Sequence, residues 1–230
     1  MPTEFDHYAA NYQSLVHDPI RHRFAPGSAF FFERKWILLA AFLKRRGVRT
    51  ENAAWLDAGC GQGELLRLGK PGFGHVAGCD VSSEMLSAAR DLNVSVQPAP
   101  DRLPYPDGEF DLVTAVCVYH HVAADEMRLS LTREARRVLK PGGIFCIIEH
   151  NPFNPATQLI VRRIPVDKDA RLLTPAVSRA VLVSGGFRVV ESEFFLYLPE
   201  RLYHRAPFVE AWMKKVPLGG QYAVFGEKPV

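Results

Sequence analysis

The stretch Trp55-Leu56-Asp57-Ala58-Gly59-Cys60-Gly61-Gln62-Gly63-Glu64-Leu65 has the pattern of a buried strand, a glycine-rich turn and a helix. Glycines at alternate positions let the backbone turn sharply where the strand ends and approach a ligand closely, because glycine has no Cβ. The helix that follows directs its free N–H groups and the positive end of its dipole toward the same space. The stretch therefore predicts a nucleotide-type ligand site at the carboxyl end of a strand.

The spacing of the glycines separates two kinds of ligand. A dinucleotide site has the pattern G-x-G-x-x-G, whereas here Gly59, Gly61 and Gly63 alternate and Glu64 takes the place of the third glycine. A carboxylate at that position would face a pyrophosphate at close range, which opposes a nicotinamide-dependent oxidoreductase. Asp57, just before the turn, suits a ligand that carries a cationic amino group.

These residues resemble the cofactor loop of the class I S-adenosylmethionine (SAM)-dependent methyltransferases. The turn Lys140-Pro141-Gly142-Gly143, which leads into an apolar strand, is a second resemblance, and together they cover roughly residues 52–150. Within this class the chain is similar to the small-molecule methyltransferases of the ubiquinone/menaquinone-biosynthesis type. The resemblance implies SAM as cofactor and S-adenosylhomocysteine as product.

Apolar runs separated by helical stripes predict an α/β fold. The resemblance specifies a doubly wound, Rossmann-like sheet of seven strands, mostly parallel, with an antiparallel hairpin at the C-terminal end and helices on both faces. Residues 1–50 are predicted to form a helical lid. Residues 51–230 are predicted to form the SAM-binding domain, in which 151–218 contribute the substrate side.

Asp80 ends the second apolar run and follows Gly59 by 21 residues. This is near the spacing at which a carboxylate at a strand end accepts hydrogen bonds from ribose hydroxyls. Helix capping is the structural alternative for Asp80, but Ser82 and Ser83 already supply a cap. We therefore expect Asp80 to bind the ribose, with Val81 and Met85 beside the adenine.

The adenine end of the site departs from the family pattern. The position of the usual acidic residue is occupied by Ala99, which has no side-chain acceptor, and the next by Pro100, which has no N–H. Either Asp101 contacts the adenine amino group or the ring is held mainly by packing. The resemblance also implies cofactor contacts at Tyr12, Cys60, Leu103 and Val116.

Polar residues follow the fourth and fifth predicted strands, where an open α/β sheet binds its ligands. Tyr119, His120 and His121 follow the fourth strand, and they form either the pocket wall or, for the histidines, a general base. Glu149 and His150 end the fifth strand and are a second candidate pair for deprotonation. Asn151 and Asn154 either contact the substrate or form a turn and a helix cap.

Composition limits the remaining possibilities. The net charge of +3 is too small to indicate nucleic-acid binding, and the start of the chain lacks the pattern of a signal peptide. The four cysteines have neither metal-ligand spacing nor a disulfide pattern, and no acidic cluster accompanies Glu149 and His150, so no metal site is predicted. We expect a cytoplasmic protein without stable membrane insertion, and the sequence leaves a homodimer open.

The predicted function is methyl transfer from SAM to a small-molecule acceptor, at oxygen or carbon. No Asn-Pro-Pro-Tyr-type motif follows the fourth strand, where Tyr119-His120-His121 stands instead, which argues against amino-group methylation of nucleic acid or glutamine. Two alternatives stay open. The chain binds SAM or S-adenosylhomocysteine in a structural or regulatory role without transferring a methyl group, or it transfers a different group from a modified SAM.

Overall fold

The computed structural model describes residues 3–230 and contains a seven-stranded sheet. The strands are β1 (Ala54–Ala58), β2 (His75–Asp80), β3 (Val94–Val96), β4 (Phe110–Val116), β5 (Leu139–His150), β6 (Arg188–Phe195) and β7 (Gln221–Glu227). Their spatial order is β3-β2-β1-β4-β5-β7-β6. The first five are mutually parallel, and β7 pairs antiparallel with both β5 and β6. This topology confirms the predicted sheet and its C-terminal hairpin.

Helices cover both faces of the sheet. They are α1 (Glu4–Tyr8), α2 (Tyr12–Leu15), α3 (Pro19–Phe24), α4 (Ala29–Arg45), α5 (Glu64–Gly69), α6 (Ser83–Ser87), α7 (Asp125–Val138), α8 (Pro155–Val161), α9 (Pro175–Ser184), α10 (Glu200–Arg205) and α11 (Pro207–Met213). Single 3₁₀ turns lie at Ala9–Asn11, Thr50–Asn52, Lys70–Gly72, Tyr119–His121 and Pro165–Asp167.

The apolar core has two layers, one on each side of the sheet. On one side α4 packs against the sheet, and its Phe42 ring stacks on Phe225 of β7 with centroids 3.7 Å apart. On the other side α7 and α9 cover β4, β5 and β7. Central strands that are buried on both faces have continuous apolar sequences, as parallel sheets require.

Helix α6 is shorter than its sequence pattern predicts. The apolar pattern after Ser82 predicts a helix to Leu92, but α6 ends at Ser87. Arg67 donates hydrogen bonds to the Ala88 carbonyl and to the Asp91 carboxylate, which holds the following residues in turns instead. Ser82 caps α6 as expected, because its hydroxyl accepts the Met85 N–H.

The N-terminal helices lie over the carboxyl edge of the sheet and contact both of its halves. Gln62 of the glycine turn donates to the Ala9 carbonyl, and Asp6 accepts a hydrogen bond from Ser82 beyond β2. Across the edge, Asp18 caps α3 and lies near Arg163, which follows α8. Within residues 3–230, every helix is too short or too polar to cross a bilayer.

Candidate active site

One cavity of about 1050 Å³ opens at the carboxyl edge of the sheet. Its walls come from the glycine turn, the ends of β2, β4 and β5, the N-terminal helices and residues around α8. The predicted site residues that line it are Tyr12, Asp57, Gly59, Cys60, Gly61, Asp80, Val81, Met85, Val116, His120, His121, His150 and Asn154. Those that do not line it are Gly63, Asp101, Leu103, Tyr119, Glu149 and Asn151.

The glycine turn has the backbone that its sequence requires. Gly59, Gly61 and Gly63 have φ angles of 75°, 53° and 80°, a region that side chains with a Cβ rarely adopt. A Cβ on Gly59 would overlap Val118, whereas one on Gly61 would meet nothing within 4 Å. Gly63 packs against Leu92 and therefore supports the turn from behind.

Two carboxylates stand at the ends of neighbouring strands and face the cavity. Asp57 is buried, and its carboxylate accepts a hydrogen bond of 2.5 Å from Thr114. Burial raises the pKa of Asp57 to about 7, although the Thr114 bond offsets part of this effect. Asp80 accepts the N–H groups of Gly61 and Ser82, each at 2.9 Å, and burial raises its pKa. Asp80 thereby ties the glycine turn to the end of β2.

Lys35 of α4 is a cation in the cavity wall that the sequence analysis missed. Its side chain is almost fully buried, with the ammonium 4.6 Å from the centre of the Phe32 ring. Burial lowers the pKa of Lys35, because desolvation disfavours its charged form. The signal available in the sequence was a lysine beside the apolar stripe of a helix, and such lysines usually lie on a solvated face.

The adenine end of the cavity is apolar. Val81, Met85, Val96, Pro98, Ala99 and Pro100 line it, together with Gln97. The Gln97 amide donates to the carbonyls of Ala99 and Pro100, at 2.9 and 3.0 Å, and so fixes the curve of this segment. Asp101 lies in the next turn, outside the cavity wall, and Leu103 is buried behind it. This arrangement favours adenine binding by packing.

A polar cluster occupies the wall beyond β4 and β5. Nδ1 of His120 lies 2.5 Å from Glu149 Oε2, and its Nε2 lies 3.6 Å from Asp167 Oδ1. Nε2 of His121 lies 3.4 Å from the same Asp167 oxygen. The ring of His150 is 5.2 Å from that of His120. The structure thus brings together four residues that were singled out in the sequence and adds Asp167.

Asp167 reaches the cluster through a backbone contact between distant segments. It ends the 3₁₀ turn after α8, and the chain is held there because Arg171 donates its N–H to the His120 carbonyl at 2.8 Å. In the sequence Asp167 appears as one of two acids in a basic, proline-containing loop. No local pattern connects it to the histidines.

The side chains of the cluster differ strongly in the direction of their pKa shifts. Burial disfavours a charged His120 ring, but the Glu149 and Asp167 carboxylates outweigh it and hold the pKa of His120 well above its usual value. The pKa of Glu149 is lowered in turn by His120 despite complete burial. Burial lowers the pKa of His121, and it lowers that of His150 to about 4. At the cavity the cluster therefore presents the Asp167 carboxylate together with the neutral imidazoles of His121 and His150.

Three predicted residues act from behind the cavity wall. Glu149 is fully buried and accepts the Tyr119 N–H as well as contacting His120. The Tyr119 side chain points into the core, where its hydroxyl meets Thr132. The Asn151 amide donates to the carbonyls of Pro217 and Gly219. Asn154 lines the cavity and also caps α8 through the Thr157 N–H.

A comparison with protein families identifies the kind of domain that contains this edge of the sheet. A family model described as a methyltransferase domain matches residues 56–147, from β1 to β5. That range holds the glycine turn, Asp80 and the Lys140–Gly143 turn in one continuous match. Over residues 56–147 the chain has the methyltransferase domain of the class I SAM-dependent family. The match implies SAM as the cofactor.

Curated relatives of this methyltransferase differ in what their names say they act on. The tRNA (carboxymethyluridine(34)-5-O)-methyltransferase of Arabidopsis thaliana is 32% identical over 133 residues, which are 57% of this chain and 32% of that protein. The ubiquinone/menaquinone biosynthesis C-methyltransferase UbiE of Pseudomonas savastanoi is 39% identical over 116 residues, 45% of this chain and 43% of that protein. The methyltransferase thus spans less than half of the length of both relatives.

Solved structures share the fold over the whole chain. One is in a complex between the Haloferax volcanii Trm112 methyltransferase activator and a putative methyltransferase. It has a TM-score of 0.67 and 22% identity, and the match covers all of both chains. The N-terminal helices and the 151–218 segment lie outside the residues that the family model matches, but they have counterparts in that structure.

Proposed function

We propose that this methyltransferase transfers the methyl group of SAM to a small-molecule acceptor, at oxygen or carbon. SAM, when bound, supplies an electrophilic methyl group on a sulfonium. The protein then has to align the acceptor with that methyl group and exclude water. The observation that carries the proposal is that one cavity joins the glycine turn, Asp57 and Asp80 to the His120–His121–Asp167 cluster.

The cofactor half of the cavity fits SAM in chemistry and shape. Gly61 has open space where a Cβ would stand, so its backbone can approach a ligand. Asp57 would accept from the methionine amino group, and the buried Lys35 ammonium would bind the methionine carboxylate. Asp80 would accept the ribose hydroxyls, with the adenine packed between Val81, Met85 and the Gln97–Pro100 segment.

The other half of the cavity suits a small acceptor with apolar parts. Its walls include Phe24, Phe31, Ile160, Val161, Ile164 and Leu196. The N-terminal helices cover it, and Phe5 of α1 contacts the His121 ring edge-on at 5.0 Å. Residues 1–50 would act as the lid, and 151–218 would select the acceptor. A concave site with apolar walls of this kind favours a small molecule over a folded RNA.

The acceptor would bind against the polar cluster. His121, His150 and Asp167 line the cavity where an acceptor hydroxyl or acidic C–H would lose its proton. A general base at His120 or His121, or at the Glu149–His150 pair, remains a prediction. A cytoplasmic location and a homodimer also remain predictions.

A two-step measurement tests the proposed function. Calorimetry with SAM and S-adenosylhomocysteine checks cofactor binding, and we expect one site per chain. Methyl transfer from radiolabelled SAM is then measured on pools of phenols, enols and hydroxy acids, and on bulk tRNA. Transfer to a small-molecule pool is the expected result. Transfer to tRNA alone would overturn the acceptor class, and cofactor binding without any transfer would support the regulatory alternative.

A further inference from the structure

Three ligand atoms in the polar cluster are spaced as ligands around a single cation. Asp167 Oδ1 lies 3.4 Å from His121 Nε2 and 3.6 Å from His120 Nε2, and all three atoms lie within 4.8 Å of one another. Two ligand atoms bound to zinc at its usual distances and tetrahedral angle are about 3.4 Å apart. The observed distances are close to that separation and long for direct hydrogen bonds.

The buried histidine of this group lacks a partner at the atom that faces the others. His120 is 1% exposed, and its Nε2 has no hydrogen-bond partner among the described residues. An unpaired buried nitrogen costs free energy, so its presence calls for a ligand. Asp167 and His121 stand on the side toward which this nitrogen points.

A carboxylate behind His120 fixes the ring in the orientation that a ligand needs. Glu149 binds Nδ1 of His120, and it is itself held by the Tyr119 N–H at 2.8 Å. In metal sites a carboxylate or carbonyl commonly binds the second nitrogen of a ligating histidine and sets its tautomer. Glu149 has the same relation to His120, since it leaves Nε2 directed at Asp167 and the cavity.

We propose that His120, His121 and Asp167 bind one divalent transition-metal cation, with Glu149 orienting His120 from behind. Two imidazoles and one carboxylate suit Zn²⁺, Fe²⁺ or Co²⁺ rather than Mg²⁺ or Ca²⁺, which prefer all-oxygen sites. Three protein ligands leave at least one coordination position open, as in catalytic rather than structural sites. All three ligands line the cavity, so the open position faces the acceptor half.

The role of the cation rests on the proposed function and makes it more specific. A divalent cation lowers the pKa of an oxygen bound to it, so it would favour a hydroxyl, phenol or enol as acceptor. The acceptor oxygen would lose its proton to solvent and form the new O–CH₃ bond. The S–CH₃ bond of SAM breaks with its electron pair remaining on sulfur. The cation takes no part in electron transfer, so no oxidant or reductant is needed.

Metal binding can be measured without any acceptor. The full chain is freed of metal with a chelator and titrated separately with Zn²⁺ and Co²⁺ in a calorimeter, and the visible spectrum of the Co²⁺ form is recorded. We expect one cation per chain and Co²⁺ absorption typical of a four- or five-coordinate site. Asp167→Asn and His121→Ala should each weaken binding at least tenfold, and Glu149→Gln should weaken it roughly 10–100-fold.

Asp169→Asn is the matched control, because this carboxylate lies two residues from Asp167 but its side chain is 79% exposed. It should bind the cations as the parent chain does. Thermal unfolding and SAM calorimetry show whether each variant is folded. If folded Asp167→Asn and His121→Ala bind Zn²⁺ and Co²⁺ like the parent chain, or if the parent binds neither stoichiometrically, the metal site is wrong.

The same samples separate failure of the metal site from failure of the proposed function. A chain that binds SAM and methylates an acceptor equally well after chelation retains its function without the proposed cation. That result favours direct deprotonation by the histidines. A chain that binds one cation but neither binds SAM nor transfers a methyl group contradicts the proposed function and leaves the metal site standing.

Discussion

The two halves of the cavity are built in different ways. The half predicted to bind the cofactor is made mostly from the ends of two neighbouring strands, where Asp57 lies in β1, the glycine turn follows β1 and Asp80 ends β2. The acceptor half is made from segments far apart in the chain. Its lid helix α4 is held by Arg34, which pairs with the buried Glu210 of α11 and donates to the Tyr203 hydroxyl at 2.5 Å.

This difference indicates how the family can keep one cofactor while changing its acceptor. The glycine turn needs only a local backbone conformation, so substitutions elsewhere leave it intact. The acceptor half depends on pairings between the N-terminal helices and residues 151–218, and these can be replaced together. We therefore expect variants in the two halves to separate cofactor binding from acceptor turnover.

The largest effect is expected from Arg34→Met, which breaks the acceptor half. The change leaves Glu210 buried without its cation and removes the guanidinium that stacks 3.6 Å from the centre of the Tyr203 ring. Loss of one partner of a buried pair costs about 3–5 kcal/mol. Chemical denaturation should show this loss in the free energy of unfolding, and acceptor turnover should fall more than SAM affinity.

Lys168→Met is the control for Arg34→Met, because Lys168 and Glu4 form an exposed ion pair at 3.1 Å. Exposed pairs contribute about 0–1 kcal/mol, so this variant should be nearly as stable as the parent chain. Equal losses of unfolding free energy in the two variants would contradict the tethering role of Arg34.

Gly59→Val is the corresponding change in the cofactor half. A valine would have to adopt a φ of 75° and would collide with Val118. We expect SAM affinity to fall about 100-fold, which corresponds to about 3 kcal/mol, as measured by calorimetry. Gly108→Ala is the control, since Gly108 has a φ of 64° but open space around its Cβ position. It should lose stability and keep its SAM affinity.

We expect SAM binding to depend on pH through Asp57. Because burial raises the pKa of Asp57 to about 7, its carboxyl gains a proton as the pH falls through that value. The protonated carboxyl cannot pair with the cationic amino group of SAM, so affinity should fall about tenfold per pH unit below 7. Calorimetry between pH 8 and pH 5 measures this slope. Asp57→Asn should bind weakly with no such slope, and an unchanged slope would assign the titration to another group.

The smallest contrast tests how adenine is held. Gln97→Leu removes two hydrogen bonds to the Ala99 and Pro100 carbonyls, each worth about 1 kcal/mol, and frees the segment that borders the adenine. SAM affinity should fall about tenfold. Asp101→Ala, outside the cavity wall, should change it less than about twofold. The reverse order would mean that Asp101 reads the adenine after all.

Most residues that the sequence assigns to the cofactor half do line the cavity, because their determinants are local. The alternating glycines require left-handed backbone. Asp80 ends β2, the strand that pairs with β1, so it lies next to the glycine turn. Gly63 does not line the cavity, contrary to the prediction. The pattern of glycines does not reveal which of them supports the turn from behind. Gln97 escaped notice because its role is to hydrogen-bond its own segment.

For the acceptor half, the sequence indicated several individual residues but not how they come together in the fold. His120, His121, Glu149 and His150 were all singled out, because each lies at or just beyond the end of a strand at the ligand edge. Asp167 joins them only through packing between distant segments, which leaves no local pattern, and Lys35 reaches the other half of the cavity in the same way. Arg34 is likewise an unremarkable basic residue of a helix until its partner Glu210, 176 residues later, is known.

The Arg34–Glu210 pair also has a consequence for the order in which the protein is made. Synthesis delivers α4 early, but Glu210 and the Phe225 ring that stacks on Phe42 emerge only when the chain is nearly complete. The first five strands and their glycine turn can therefore assemble on the ribosome before the N-terminal helices find their final partners. We therefore expect the half predicted to bind the cofactor to fold before the half predicted to bind the acceptor is complete.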